Sequence, residues 1–367
     1  MAPLRIAGEN VDPLAWALTF AVGALGGFVA KEIGAPLPML TGSVFLLGAI
    51  SVFGFHTRGR PPIFPMWIRM FLMPIIGLSI GAAFTPEILE QALGWWPTLL
   101  ALCIFIPAVH LLGFYGYHYL GGIERRTAYY ASVPGGLIEA IAMGEEAGAD
   151  VRMMGALQFM RLILCLMLVP LAFTILNGGS VGSAAGAVLV RGDDALTFIN
   201  VIEIIGLGAL GFFGGRKLGF PAFIVTGPLT VSAIAHLSGL TDVVPPGWSV
   251  QLTQLVIGVS LGTRFVGMLP SAFLKALKLA FVNILGTMIL AVLVSLALHR
   301  AVGQKTEAVT LAFAPGGVAE MSLVAVSLEI SVVYVTAHHV LRIVLSITQA
   351  KFFSRYLLRD YAKPEKS

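Results

Sequence analysis

The chain has 367 residues, 57% hydrophobic and only 11% charged, with a formal net charge of +4 and a mean hydropathy of +0.90. A soluble domain carries about 25% charged residues, so this composition excludes a soluble globular protein. The small positive charge calls for no nucleic-acid partner, because lysine and arginine in loops are the ordinary positive-inside bias of membrane proteins.

Apolar runs of about the 20 residues that cross a bilayer follow one another along the chain. Leu14–Ala30 comes first and reads as a spanning helix rather than a removed signal, since neither a charged n-region nor a small-residue cleavage site accompanies it. "GAPLPMLTG" (Gly34–Gly42) places a proline at the first turn of a further helix. Pro97–Tyr115, Leu157–Leu176, Phe198–Phe213, Leu279–Leu298 and Val332–Ile347 complete the long runs, some needing a flanking residue or two. A transmembrane β-barrel requires short alternating segments instead. Cys103 and Cys165 both fall inside apolar runs and read as packing residues, neither a disulfide framework nor a zinc site.

The second part of the chain repeats the first. Pro134-Gly135-Gly136 recurs 181 residues later as Pro315-Gly316-Gly317. At the same offset Glu139 matches Glu320, Arg161 matches Arg342, Gln158 matches His339, and His118 matches His299. "IGLSIGAAF" (Ile76–Phe84) matches "IGVSLGTRF" (Ile257–Phe265), and with a slip to 185, "GAPLPMLTG" matches "GFPAFIVTG" (Gly219–Gly227). The expected organisation is therefore a first membrane repeat over 1–177, a small-residue linker over 178–195 and a second membrane repeat over 196–367. The fold class expected is an all-α polytopic membrane protein with two homologous halves. Each half has five transmembrane helices plus one Pro-Gly-Gly segment that is broken or re-entrant. If that segment crosses, the halves are parallel; if it re-enters, they are inverted. Lysine and arginine placement favours the inverted arrangement.

Proline removes a backbone donor, and glycine admits conformations closed to other residues, so Pro-Gly-Gly breaks a helix. Non-helical backbone at membrane depth is tolerated only where protein buries it or a water-filled cavity meets it. Helices restarting at Leu137 and Val318 would aim free N–H groups at the breaks, an arrangement that attracts anions. Gly135, Gly136, Gly316 and Gly317 are thus candidate substrate-binding positions. Glu139 and Glu320 fall in the first turn after each break. They read either as caps of their own helices or as proton- or cation-coupling groups. Arg161 and Arg342, with His339 one turn before the second, are the remaining substrate-binding candidates. Each arginine either clamps a carboxylate substrate or forms a structural Arg–Glu pair that pins the hairpin to the helix behind it.

Thr41, Gly42, Thr226 and Gly227 read first as close-packing residues of helix contacts. His118 and His299 end the fourth helix of each half as boundary residues. No Walker loop, nucleophile elbow, HExxH or CxxC motif is present, and His338 and His339 diverge by about 100° on a helix. Neither a cofactor, a metal nor an enzymatic activity is expected.

The repeated "PGG(L/V)xE" with its trailing arginine, together with "APLPMLTG", resembles the bacterial AbrB membrane family, the one with an AbrB duplication domain. The resemblance covers nearly the whole chain in two copies. Some members carry labels such as ammonia monooxygenase or regulator of gene expression, yet the residues form neither a metal centre nor a DNA-binding module. The organisation also resembles citrate and glutamate symporters, in which two inverted five-helix halves carry glycine-rich re-entrant segments; this is analogy at the level of fold. The expectation is a secondary transporter in the bacterial cytoplasmic (inner) membrane, moving a small anionic or zwitterionic metabolite with H⁺ or Na⁺. Its partners are then substrate, coupling ion and lipid, with a homodimer left open. The alternatives are a membrane regulator acting through a partner and a membrane-bound monooxygenase subunit.

Overall fold

A computed structural model describes residues 4–6, 9–35, 37–54, 61–177 and 197–358. The expected linker at 178–195 lies outside the described residues. Apart from a short antiparallel pair, β1 (Leu4–Ile6) and β2 (Glu9–Val11), the described elements are helices. In chain order they begin with α1 (Pro13–Glu32), α2 (Pro38–Val52), α3 (Met66–Gly81), α4 (Pro86–Ala92), α5 (Trp96–Tyr115), α6 (Arg125–Ala131), α7 (Leu137–Glu146) and α8 (Val151–Asn177). They continue with α9 (Phe198–Lys217), α10 (Phe223–Leu237), α11 (Gly247–Gly262), α12 (Pro270–Leu298), α13 (Thr306–Phe313), α14 (Val318–Ser327) and α15 (Val332–Leu357).

Five segments among the described residues are long and apolar enough to cross a membrane: Pro13–Glu32, Pro86–Leu120, Val151–Leu176, Phe198–Lys217 and Pro270–Leu298. Their outward faces agree. Along α9, Phe198, Ile202, Ile205, Leu210 and Phe213 are exposed, and along α12 so are Leu285, Ile289, Leu293 and Leu296. Ladders of apolar side chains on this scale are not left open to water. The chain is a multi-pass helical membrane protein.

The helices gather into two compact units. The first comprises residues 1–93, 166–270 and 318–336, and the second 94–165, 271–317 and 337–367. Each unit therefore draws on both sequence halves, so neither coincides with 1–177 or 196–367.

Within the first unit, α2 packs on α1 and α11, and α10 packs on α9 and α3. Glycine makes this possible. A Cβ on Gly42 would overlap the carbonyl oxygen of Gly26, and a Cβ on Gly227 would overlap that of Gly211. Backbones that close exclude any side chain, as in the small-residue contacts of membrane helices. Gly81 similarly lies where a Cβ would come 2.5 Å from the Leu229 carbonyl oxygen, and a Cβ on Gly262 would come 2.6 Å from the Leu47 side chain. Serine hydroxyls tie the same pairs. Ser43 Oγ donates to the Gly23 carbonyl at 2.8 Å, and Ser232 Oγ to the Leu78 carbonyl at 2.8 Å. Thr41 and Thr226, singled out from sequence beside their glycines, are buried and donate to the carbonyls of Leu37 (3.1 Å) and Pro221 (2.8 Å). Their hydroxyls thus serve local backbone at the helix starts, beside the glycines of the close contacts.

Left-handed backbone recurs at the two sequence offsets. Leu37 (φ +48°) and Ala222 (φ +51°) each precede a helix and lie 185 residues apart, while Gly148 (φ +75°) and Glu329 (φ +52°) each follow one and lie 181 apart. A side chain at such φ costs roughly 1–2 kcal/mol, so a shared local shape is being held in spite of the residue type.

Within the second unit, α5 runs straight into a π-helical turn, Gly116–Leu120, and lies along α12. Gly113 approaches Ser132 and Asn283, and the Phe105 and Phe313 rings meet edge to face at 4.9 Å. The Tyr129 hydroxyl donates to the Ala350 carbonyl at 2.9 Å, fixing α6 to α15. Of the two cysteines, Cys165 is fully buried, as a packing residue should be, whereas Cys103 is exposed on α5.

Candidate functional site

The helix ahead of each Pro-Gly-Gly is short, and its ending is chemically necessary. α6 is capped by Glu124, whose carboxylate accepts from the Arg126 and Thr127 amides at 3.0 and 2.9 Å, and stops at Ala131. α13 stops at Phe313 with Ala314 extended (ψ 144°), the conformation that a following proline imposes. The chain then turns, and α7 and α14 start at Leu137 and Val318, the restart points read from the sequence. Gly136 sets the first restart with φ +69°, a value that favours glycine.

A helix that ends inside protein leaves its last carbonyls without partners. Here α8 and α15 supply donors to them. Arg161 donates to the carbonyls of Ser132 (3.4 Å) and Val133 (2.9 Å), and Gln158, one turn earlier, donates to the Tyr130 carbonyl at 2.8 Å. Arg342 donates to the carbonyls of Ala314 and Gly316, while His339 Nε2 donates to the Leu311 carbonyl at 3.0 Å. Tyr130 and Leu311 are 181 residues apart, as are Val133 and Ala314. All four donors are nearly inaccessible: Arg161 is 8% exposed, Arg342 4%, Gln158 1% and His339 0%.

The sequence left two roles open for the arginines, a carboxylate clamp or an Arg–Glu pair pinning the hairpin. Among the described residues their acceptors are backbone oxygens, those of Ser132 and Val133 just before the first break and those of Ala314 and Gly316 before and within the second. A planar guanidinium suits this task, since two parallel N–H groups span two carbonyls that a single ammonium could not reach together. Arg342 Nε and His339 Nδ1 are buried with no hydrogen-bond partner among the described residues. The site at the second break thus keeps two polar nitrogens beyond those that brace the backbone.

Gly135 and Gly136 lie against α15. A Cβ on Gly135 would come 3.2 Å from Ser346 Oγ, and one on Gly136 would meet the Ile347 side chain at 2.7 Å and Glu139 Oε2 at 3.3 Å. The half-buried Glu139 therefore turns back toward the start of its own helix, the place where a carboxylate best meets free amides and the positive dipole end. Glu320 falls within α14, three residues past Gly317. Its side chain lies outside the described residues.

Three further polar groups join this unit, and two of them, His110 and Ser346, were not singled out from sequence. His110 is 3% exposed, and its Nε2 faces the Tyr129 carbonyl at 3.0 Å, so the proton sits on Nε2 and Nδ1 accepts from Gln349 Nε2 at 3.3 Å. Ser346 Oγ is fully buried and has no hydrogen-bond partner among the described residues. His338 reaches Thr98 Oγ1 at 2.9 Å, pointing away from the carbonyl that His339 binds. His110 falls opposite Ala291 and Ser346 opposite Cys165 at the 181 offset, so comparison of the two halves could not draw attention to them. His118 Nδ1 bonds to the Ile123 carbonyl at 2.9 Å beyond the end of α5, the boundary role expected of it. No group of three or more His, Cys, Asp or Glu residues that could hold a metal ion occurs among the described residues.

Comparison with known proteins places these observations in a lineage. A family model described as "Transition state regulatory protein AbrB" matches residues 45–358. A protein of Bacillus subtilis (strain 168) named "Uncharacterized protein YhjN" is 23% identical over 376 aligned positions, covering 98% of this chain and 97% of its own. A protein of Escherichia coli (strain K12) named "Putative regulator AbrB" is 22% identical over 339 positions, covering 90% and 92%.

Proposed function

The chain belongs to the AbrB family, and on that premise we propose that it is an ion-coupled secondary transporter in the cytoplasmic membrane, built from two inverted repeats and without enzymatic activity. The observation that carries this reading is the paired bracing of the two breaks. A structural protein has no need of two helix interruptions in its membrane region, each braced by a buried arginine. In carriers with inverted repeats, such interruptions hold the substrate and the coupling ion. The pairing of Leu37 with Ala222, and of Gly148 with Glu329, supports the repeat, as does the equivalence of the Gly26–Gly42 and Gly211–Gly227 contacts.

The substrate class follows from charge. The acceptors described for Arg161 and Arg342 are neutral carbonyls, so those bonds do not themselves neutralise the two buried guanidinium charges. Together with the amide ends of α7 and α14 they favour a small anion or zwitterion. Glu139 and Glu320 are the coupling groups in this reading, with H⁺ or Na⁺ as the ion. Both breaks and both arginines belong to the second compact unit. The bodies of the carrier are then the two units rather than the two sequence halves.

The test is solute flux into liposomes containing the purified protein, under an imposed H⁺ or Na⁺ gradient, across a panel of small carboxylates and amino acids. Gradient-driven uptake of at least one solute is expected, with Glu320→Gln abolishing the dependence on the gradient and Glu320→Asp retaining part of it. Equal full activity in both variants would remove the carboxylate from coupling.

The repeat orientation has its own measurement. A single cysteine at Ser183, in a variant lacking Cys103 and Cys165, is expected to react with a membrane-impermeant thiol reagent on intact cells. Labelling only after lysis would mean parallel halves.

The name of the Escherichia coli relative favours a second reading, a membrane regulator acting through a partner protein. A reproducibly co-purifying partner, with no flux for any solute, would replace the transporter by that reading.

A further inference from the structure

The outer surface of the second unit carries a groove of about 380 Å³ between the end of α5 and the start of α12. Leu112, Tyr115, Gly116, Leu279, Val282 and Asn283 line it. The volume is within the range of about 300–1,000 Å³ usual for small-molecule sites, yet apart from Asn283 and the tyrosine hydroxyls the wall offers nothing polar to orient a metabolite. The π-helical turn at Gly116–Leu120 contributes one side. At Gly116 a Cβ would meet nothing within 4 Å, so the groove is open where a side chain would otherwise stand.

Charge collects at one end. Lys275 and Lys278 lie one turn before Leu279 and Val282 on the same face of α12, and both are exposed. At the start of α6, the Arg125 guanidinium carbon stands 5.9 Å above the Phe114 ring, and its Nε is buried with no hydrogen-bond partner among the described residues. The nearby Glu124 carboxylate is already engaged in capping α6. Tyr115 and Tyr119, stacked at 5.8 Å and both exposed, mark this level as the membrane–water boundary, where tyrosine accumulates. Exposed Leu285 and Ile289 carry the apolar surface of α12 onward beyond the groove, away from the lysines.

We propose that this groove is a binding site for an anionic phospholipid, with an acyl chain between α5 and α12 and the headgroup phosphate on Lys275 and Lys278. The division of labour is physical: the groove recognises the chain without regard to headgroup, and the lysine pair selects for negative charge. Long lysine stems reach from the helix surface to the headgroup level. The site is independent of what the carrier moves.

The test uses delipidated protein in mild detergent, titrated with phosphatidylglycerol or phosphatidylcholine of identical chains and read by native mass spectrometry. Phosphatidylglycerol is expected to remain bound at least tenfold more tightly. Lys275→Gln with Lys278→Gln should remove that preference, at roughly fivefold per lysine, while leaving the weaker binding of phosphatidylcholine unchanged. Gly116→Leu, whose Cβ meets nothing within 4 Å, should fill the groove and abolish retention of both lipids. Val282→Phe fills it from the opposite wall, should Gly116→Leu fail to fold. Equal binding of the two lipids by the unaltered protein, or undiminished retention in the filled variants, would overturn the proposal. A change of oligomeric state in the filled variants with lipid retention intact would also overturn it, and would make the groove an interface between copies of the chain.

Discussion

Replacement of Arg342 by methionine is expected to lower stability by about 3 kcal/mol, because two charge-assisted bonds worth roughly 1.5–3 kcal/mol each disappear and the Ala314 and Gly316 carbonyls stay buried without donors. Part of that loss is offset, since the variant no longer has to bury a charge. Two further comparisons separate a brace from a simple loss of volume. Arg342→Lys keeps the charge but cannot span both oxygens, so it should fall between the methionine variant and the original protein. Arg161→Met should cost less, because one of its two bonds is a long 3.4 Å. Thermal unfolding in detergent reads the effect, with a drop on the order of 5–10 °C for Arg342→Met. An unchanged midpoint would mean that the second break holds its shape without the guanidinium.

Gly227→Leu is expected to prevent folding altogether. The added Cβ would collide with the carbonyl of Gly211, which is backbone and cannot rotate aside. Overpacking in a core costs about 1–3 kcal/mol when side chains can adjust; here α9 and α10 would have to part along their length, and more than about 3 kcal/mol is expected. Gly206, on the partner helix α9, is the control. A Cβ there meets nothing within 4 Å, so Gly206→Leu should yield as much monodisperse protein as the parent. Size-exclusion chromatography of the detergent extract distinguishes the two, and equal yields would deny the helix contact its importance.

The breaks were the most legible feature of the sequence, because proline and glycine act through backbone geometry that needs no knowledge of the surroundings. Leu137 and Val318 could be named as restart points for that reason. Helix starts at the membrane boundary were harder. α12 begins at Pro270, well before the apolar run at Leu279, because exposed lysines at 275 and 278 are compatible with helix but interrupt a hydropathy signal. α8 begins at Val151, just after Asp150, whose carboxylate accepts from the Arg152 and Met153 amides. The roles of Arg161 and Arg342 were not legible for a different reason. Their acceptors are carbonyl oxygens, which every residue carries, so the sequence suggested only the acidic partners it could display. Ser346 and His110 escaped notice because each lacks a like residue at the repeat offset.

The close pairing of α2 with α11 bears on how the chain is made. Leu47 meets Gly262, a residue synthesised 215 positions later. At about 5–20 residues per second, roughly 10–40 s pass before the ribosome delivers that partner. During this interval the glycine face of α3 waits for α10, also yet to come, whereas Gly42 of α2 already has Gly26 of α1 to pack on. Lipid is a tolerable stand-in for a face of small residues, but not for the unpaired carbonyls at the first break. Those are answered early, by Arg161 from within the same half. The carbonyls of the first break are thus answered within the same half, while the glycine contacts and hydrogen bonds such as that from Ser232 to the Leu78 carbonyl wait for distant partners.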